Sequence, residues 1–299
     1  MENNIQLKEM IRSMVIDVLE GKKQETASSQ HIKQASRGQV EPGVFDTVDE
    51  AIQAAKVAQE RFEDCTLATR EKVIADIRAA MRPRVQELAL KTVEETGMGR
   101  VADKVLKLNL TLDKTPGVED LVTECETGDN GMTLYELSAY GVIGAITPST
   151  NPAETLICNT IGMLAAGNAV FFSVHPGAKH LSRLLVSELN QIISKSIGIE
   201  NLIVTLSEPS IESAQEMMVH PDVSLLVVTG GPGVVKQALQ SGKKVIGAGA
   251  GNPPAFVDET ADIKKAAQDI VLGASLDNNI LCIAEKSVVA MRQIEPQLV

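Results

Sequence analysis

The chain has 299 residues, a formal net charge of −11 and a sequence pI near 5.0. That length allows two domains with sizeable cores, and the acidity excludes a nucleic-acid partner, because no basic surface is available to displace counterions from a phosphate backbone. No apolar run approaches the roughly 20 residues of a membrane span, and Met1 to Gln6 lacks the basic start of a secretory signal, so a cytoplasmic location without membrane contact is expected.

In chain order, Leu7, Met10, Ile11, Met14, Val15, Val18 and Leu19 fall at steps of three and four, which predicts an amphipathic helix over 5–19. Residues 22–40 carry almost nothing to bury and read as a linker. Two readings of the tethered helix stay open: it docks on the body of its own chain, or it docks on a partner. Helical patterns follow over 48–63, 69–81 and 83–95, the last starting at Pro83. A Gly/Asp/Asn turn at 128–131 inside 121–140 predicts a β-hairpin or arm. Strands are then expected over 141–147, 169–173, 201–206, 224–229 and 245–247, alternating with helices over 153–166, 181–197 and 211–219, and with one near Val234. Repeated βα units of this kind predict an α/β fold with a parallel sheet covered on both faces. A short extended segment over 255–257 and a helix over 263–272 complete the pattern.

Irregular segments at the carboxyl ends of the predicted strands are where open α/β sheets place ligands. Thr147, Pro148, Ser149, Thr150, Asn151 and Pro152 form one such segment; Asn151 or Thr150 caps the next helix, or these polar groups face a ligand. Ser173, His175 and Pro176 form a second, in which His175 by itself reads as a loop histidine. Gly230 and Gly231 precede a helix near Val234 and leave its N–H groups free for a phosphate. Gly247, Ala248 and Gly249 start a GxGxG that no helix follows, since Pro253 and Pro254 extend the chain, so the dinucleotide fingerprint fails there. Cys65, Cys125, Cys158 and Cys282 show no CxxC spacing, so neither a zinc site nor a disulfide framework is expected. Cys282 follows a polar loop; taken singly, a cysteine beside Leu281 and Ile283 reads as a core residue.

Taken together and in this order, the segments at 95–99, 115–119, 147–152, 164–168, 175–179, 229–234, 246–254 and 282–286 resemble the aldehyde dehydrogenase superfamily over about 45–289. Within it they are most similar to the CoA-acylating enzymes that handle propionaldehyde or acetaldehyde in bacterial microcompartments. The resemblance implies a Rossmann-like NAD-binding domain over 41–255 that also takes coenzyme A, with a β-arm near 121–140 that builds homo-oligomers. It also implies the start of a catalytic domain over 256–299. It assigns Cys282 as nucleophile and Asn151, with Thr150 as the alternative, to the oxyanion. Thr147 to Thr150, Ser173, His175, Pro176, Gly230, Gly231, Val234 and Gly247 to Gly249 become the cofactor-binding set. The helix over 5–19 becomes an encapsulation peptide for a microcompartment shell protein.

Two departures from hydrolytic relatives fit CoA chemistry. Ala248 stands where those relatives carry the glutamate that activates water, so a thioester on Cys282 would persist until a thiol attacks it. Ser173 stands where many carry a ribose-binding lysine, which leaves room for a bulky nucleotide. Family members continue well beyond their nucleophile, whereas this chain ends at Val299, and 290–299 is expected to diverge from the family pattern. The alternative to an NAD-dependent acylating enzyme is therefore a nucleotide-binding fragment of low or no activity that carries a targeting helix.

Overall fold

The computed structural model describes residues 41–299, so the helix expected over 5–19 and the linker over 22–40 lie outside the described residues. The chain begins with β1 (Val44–Phe45) and two helices, α1 (Val48–Glu63) and α2 (Leu67–Met81). Thr47 and Thr66 cap these two helices with their side-chain oxygens. Helices α3 (Val85–Thr96) and α4 (Val101–Lys114) follow, and then the hairpin of β2 (Glu124–Gly128) and β3 (Gly131–Tyr135).

The βα succession comes next: β4 (Val142–Ile146), α5 (Pro152–Ala165), β5 (Ala169–Ser173), α6 (Lys179–Ile197), β6 (Ile203–Leu206) and α7 (Ile211–Val219). It continues through β7 (Val223–Thr229), α8 (Pro232–Leu239) and β8 (Lys244–Ala248). The last elements are β9 (Pro254–Val257), α9 (Ile263–Ser275), β10 (Ser287–Ala290) and α10 (Glu295–Leu298).

Six strands form one parallel sheet in the order β1-β6-β5-β4-β7-β8. Every residue of β4 and β5 is buried, as expected of central strands whose two faces are both covered by helices. Their sequences, Val-Ile-Gly-Ala-Ile and Ala-Val-Phe-Phe-Ser, accordingly show no polar alternation. From β4 the chain steps outward through β5 and β6, then crosses back to lay β7 and β8 on the other side. The loops after β4 and β7 thus diverge, which opens a crevice at the carboxyl edge of the sheet. This is the α/β architecture that the sequence predicts.

The hairpin sits where the Gly/Asp/Asn turn predicts it, with Gly128 opposite Gly131 and both strands exposed along their whole length. A separate two-stranded parallel sheet, β9 with β10, lies beyond the GxGxG segment, with α9 as its crossover. Two details differ from the sequence reading. Pro83 does not start α3; it lies in a 3-10 turn, Arg82–Arg84, that leads from α2 into α3. The whole of α4 falls in a stretch for which the sequence reading assigns no element. Its inward face carries Asp103, Lys104 and Lys107 beside Leu108 and Leu112, while Leu106 and Leu110 are more than half exposed.

Candidate active site

The crevice collects the expected ligand-binding segments. Thr147 follows β4, and its N–H donates to the Ser173 carbonyl at 3.2 Å, so the ends of β4 and β5 are tied together. Across β7, Thr229 stands opposite Ala248, and the Gly230 N–H donates to the Ala248 carbonyl at 3.1 Å. Thr147, Ser173, Gly230 and Ala248 therefore mark the ends of four adjacent strands. The Thr147 hydroxyl is buried and has no hydrogen-bond partner among the described residues. An orphaned polar atom of this kind calls for a partner from outside the protein.

Among the helices that start at this edge, α6 and α8 differ in how their first N–H groups are satisfied. At α6 the Glu95 carboxylate reaches over and accepts from the backbone of His180 and Leu181, both at 2.8 Å. That end already holds an anion. His175 is occupied locally, its Nδ1 accepting from the Gly177 N–H at 3.0 Å, as the loop reading expects. At α8 the N-cap is Gly231, which offers no side chain, and a methyl group added there would meet nothing within 4 Å. The open N-terminus of α8, with Val234 in its first turn, is thus the one of the two that suits a pyrophosphate. The unpartnered Thr147 hydroxyl and the uncapped N-terminus of α8 are groups of the kind that a dinucleotide would engage.

Cys282 lies in a tight turn, half exposed rather than in a strand or the core, which corrects the reading of it as a core residue. The Ala284 N–H donates to the Leu281 carbonyl at 3.3 Å, and the Lys286 ammonium donates to the carbonyls of Leu281 (2.7 Å) and Ala284 (3.2 Å). The turn is therefore fastened on both sides of the cysteine. Gly251 packs so closely against it that a side chain there would overlap the Cys282 carbonyl oxygen. The strand end bearing Ala248 consequently leads straight into contact with the cysteine turn.

Upstream, Asp277, Asn278 and Asn279 adopt three successive left-handed conformations, with φ of 51°, 56° and 59°. Asn and Asp tolerate this region better than other non-glycine residues, and side-chain bonds hold Asp277 and Asn279 in it. The Asn279 amide donates to the carbonyls of Ala274 (2.6 Å) and Glu285 (3.0 Å). Asp277 is fully buried against the start of α4, where its carboxylate accepts from the Arg100 N–H at 2.9 Å and its own N–H donates to Asp103 at 3.0 Å.

Asn151, the expected oxyanion donor, is the N-cap of α5, yet its side chain makes no capping bond. The expectation that Asn151 or Thr150 caps the helix with its side chain is therefore not met. Instead the Asn151 Oδ1 accepts from the Lys107 ammonium, and the amide nitrogen donates to the Thr150 hydroxyl at 3.2 Å. Lys107 also binds Asp277 and stands 3.2 Å from Glu154. Lys104, whose side chain is wholly buried, pairs with Asp277 at 2.9 Å and donates to the Thr150 carbonyl.

Four buried charges, two of each sign, thus join the Thr150–Asn151 loop to the turn that leads to Cys282. Burial favours the neutral form of Asp277, but bonds from Lys107, Lys104 and the Arg100 N–H outweigh it and hold the carboxyl below its usual range. Burial also lowers Lys104. In Lys107 the same penalty is overcome by the field of Glu154 and the bond to Asp277, so its pKa is raised. Lys104, Lys107, Glu154 and Asp277 are absent from the sequence reading; their signal, two lysines one helical turn apart, looks like an exposed face until α4 is placed.

Comparison with known proteins agrees with this architecture. The aldehyde dehydrogenase family matches residues 19–299, a longer stretch than the 45–289 expected from the motifs; it takes in 290–299, which had been expected to diverge. The propanal dehydrogenase (CoA-propanoylating) of Salmonella typhimurium is 50% identical over 277 residues, covering 92% of this chain and 60% of its own length. A propionaldehyde dehydrogenase from the fucose-utilisation bacterial microcompartment of Clostridium phytofermentans superposes with a TM-score of 0.83 at 52% identity, over 86% of this chain and 59% of that one. The Rhodopseudomonas palustris propionaldehyde dehydrogenase, solved with bound CoA and an acylated cysteine, gives the same TM-score, identity and coverage. The chain spans about 60% of the length of the relatives it matches. With the matched stretch including the crevice and the cysteine turn, the chain belongs to the aldehyde dehydrogenase family.

Proposed function

We propose that this chain takes part in the NAD-dependent oxidation of a short aldehyde, propionaldehyde or acetaldehyde, to its acyl-CoA through a thioester on Cys282. The observation that carries the reading is the contact of Gly251 with the Cys282 turn, three residues after Ala248. The strand end that approaches the nucleophile bears a methyl group where a water-activating base would need a carboxylate. Without that base a thioester hydrolyses slowly, and a thiol of pKa near 8.5, which ionises far more readily than water, becomes the competent acceptor. The names of the relatives, one CoA-propanoylating and another bearing an acylated cysteine beside CoA, support the same chemistry.

In this reading the Cys282 sulfur adds to the aldehyde carbonyl carbon, and the resulting oxyanion accepts hydrogen bonds from the Asn151 amide and the Cys282 N–H. The carbonyl re-forms with loss of a hydride, for which a nicotinamide dinucleotide held in the crevice would supply the acceptor, and the acyl group is left as a thioester on Cys282. Thr147, Pro148, Ser149 and Thr150 would line the crevice beside β4. Gly230, Gly231 and Val234 would hold the pyrophosphate at α8. Ser173, His175, Pro176, Gly247, Ala248 and Gly249 would border the nucleotides. CoA then attacks the acyl carbon, the Cys282 thiolate leaves, and acyl-CoA is released.

The amphipathic pattern over 5–19 is read as a docking helix for a microcompartment shell protein, which would place the chain inside such a compartment. The exposed hairpin β2–β3 is read as the arm of a homo-oligomer. The test is NADH formation from propionaldehyde with and without CoA. Without CoA a single burst with an acyl adduct on Cys282 by intact mass is expected; with CoA, continuous turnover. Continuous CoA-independent acid formation, or no adduct at all, would refute the reading.

A further inference from the structure

We propose that Lys107 is a positioning residue for acylation: held by Asp277 and Glu154, its ammonium fixes the orientation of the Asn151 carboxamide and couples it to the turn that carries Cys282. The inference rests on the proposed function, in which Asn151 donates to the oxyanion.

A carboxamide has two near-isosteric orientations, and only one presents an N–H to a given point in space. Here the Oδ1 edge faces the Lys107 ammonium. The flipped amide would turn its own hydrogens against a cation, so one orientation is excluded electrostatically. One amide hydrogen is used by the Thr150 hydroxyl, which leaves the other for a ligand. Lys107 is itself fixed, because its side chain is only 10% exposed and is drawn to two carboxylates.

One of those carboxylates, Asp277, is five residues ahead of Cys282, and the other, Glu154, is in the first turn of α5 that Asn151 starts. Neighbouring Lys104 anchors the backbone of the same loop through the Thr150 carbonyl, so one lysine holds the main chain and the other the amide. A shift of the cysteine turn would pull Asp277, then Lys107, then the amide. Donor and nucleophile are thereby linked through Lys107 and Asp277.

The test compares the pre-steady-state rate of Cys282 acylation in wild type, Lys107→Met, Lys107→Arg, Asn151→Ala and the Lys107→Met/Asn151→Ala double variant. Loss of one oxyanion donor costs about 100-fold or more. Lys107→Met should slow acylation about 10- to 100-fold at an unchanged half-saturating NAD⁺ concentration. Lys107→Arg should restore most of the rate, and the double variant should be no slower than Asn151→Ala, because both changes act on one donor. A wild-type rate in Lys107→Met, no recovery in Lys107→Arg, or losses that multiply in the double variant would each overturn the inference while leaving the proposed function intact. A wild-type chain that forms no acyl adduct would instead overturn the proposed function, and this inference with it.

Discussion

Replacing Asp277 by Asn removes one charge from the buried cluster and puts an amide NH2 where a carboxylate oxygen accepts from both Lys104 and Lys107. The amide oxygen can still accept from Arg100, and the backbone bond to Asp103 is untouched. What remains is Lys104 and Lys107 against Glu154 alone, a net positive charge in a site where Lys104 and Asp277 have no exposed side-chain surface. Breaking a buried ion pair by removing one partner costs about 3–5 kcal/mol. At about 2–4 °C per kcal/mol for a domain of this size, the melting temperature should fall by about 10 °C.

The acid side of the profile supplies a second signature. Because Asp277 is held below its unfolded pKa of about 3.9, its contribution is fully present above that value and is lost as pH falls through the lower folded value. The gap between wild type and Asp277→Asn should therefore stay constant near neutrality and close below about pH 4. Thermal unfolding followed by circular dichroism across that range reads both effects. A variant melting within about 2 °C of wild type at neutral pH, or a gap that persists undiminished in acid, would refute a buried ionised cluster. Replacing the four charges together by Met and Leu should recover most of the loss, since apolar substitutes avoid the desolvation cost altogether.

Gly99 has a φ of +79°, and a side chain there would run into the Asp277 carboxylate, whereas Gly97, at +65°, faces open space. Gly99→Ala should therefore cost about 2 kcal/mol more than Gly97→Ala in urea unfolding, and equal losses would mean that backbone strain alone matters at both positions. Ala248→Glu should raise CoA-independent acid formation by restoring a base for water; unchanged hydrolysis would show that the missing carboxylate is not the reason for CoA use. A fluorescent protein bearing residues 1–21 should enter microcompartment shells when shell proteins are co-expressed, and Ile11→Asp with Val15→Asp should leave it diffuse. About five apolar side chains at roughly 1.5 kcal/mol each limit that contact to weak binding that needs many copies.

The frame of the site was legible because the elements that build it obey a single rule each. The strands Val142–Ile146 and Ala169–Ser173 are unbroken apolar runs ending in small polar residues, and that ending alone places Thr147 and Ser173 at the ligand edge. The hairpin announced itself by its Gly/Asp/Asn turn. Helix α4 escaped because it breaks the rule that reveals helices: three of its five buried residues are charged, while Leu106 and Leu110 face outward. Hydrophobic periodicity reads the wrong face of such a helix, since the partners that make burial of a lysine tolerable, Asp277 and Glu154, are about 170 and 47 residues further along the chain.

The same non-locality explains why the capping alternative for Asn151 and Thr150 is not realised by a side-chain bond. Local pattern supplies the cap position, but Lys107 takes the side-chain oxygen away from it. The Asp277-Asn278-Asn279 run does carry a signal, since three successive residues tolerant of left-handed backbone predict an irregular turn before Cys282. What no local pattern contains is the docking of that turn on the start of α4. The tertiary contact that converts two unremarkable lysines into a link between the Asn151 amide and the turn that carries Cys282 exists only once the two segments are folded together.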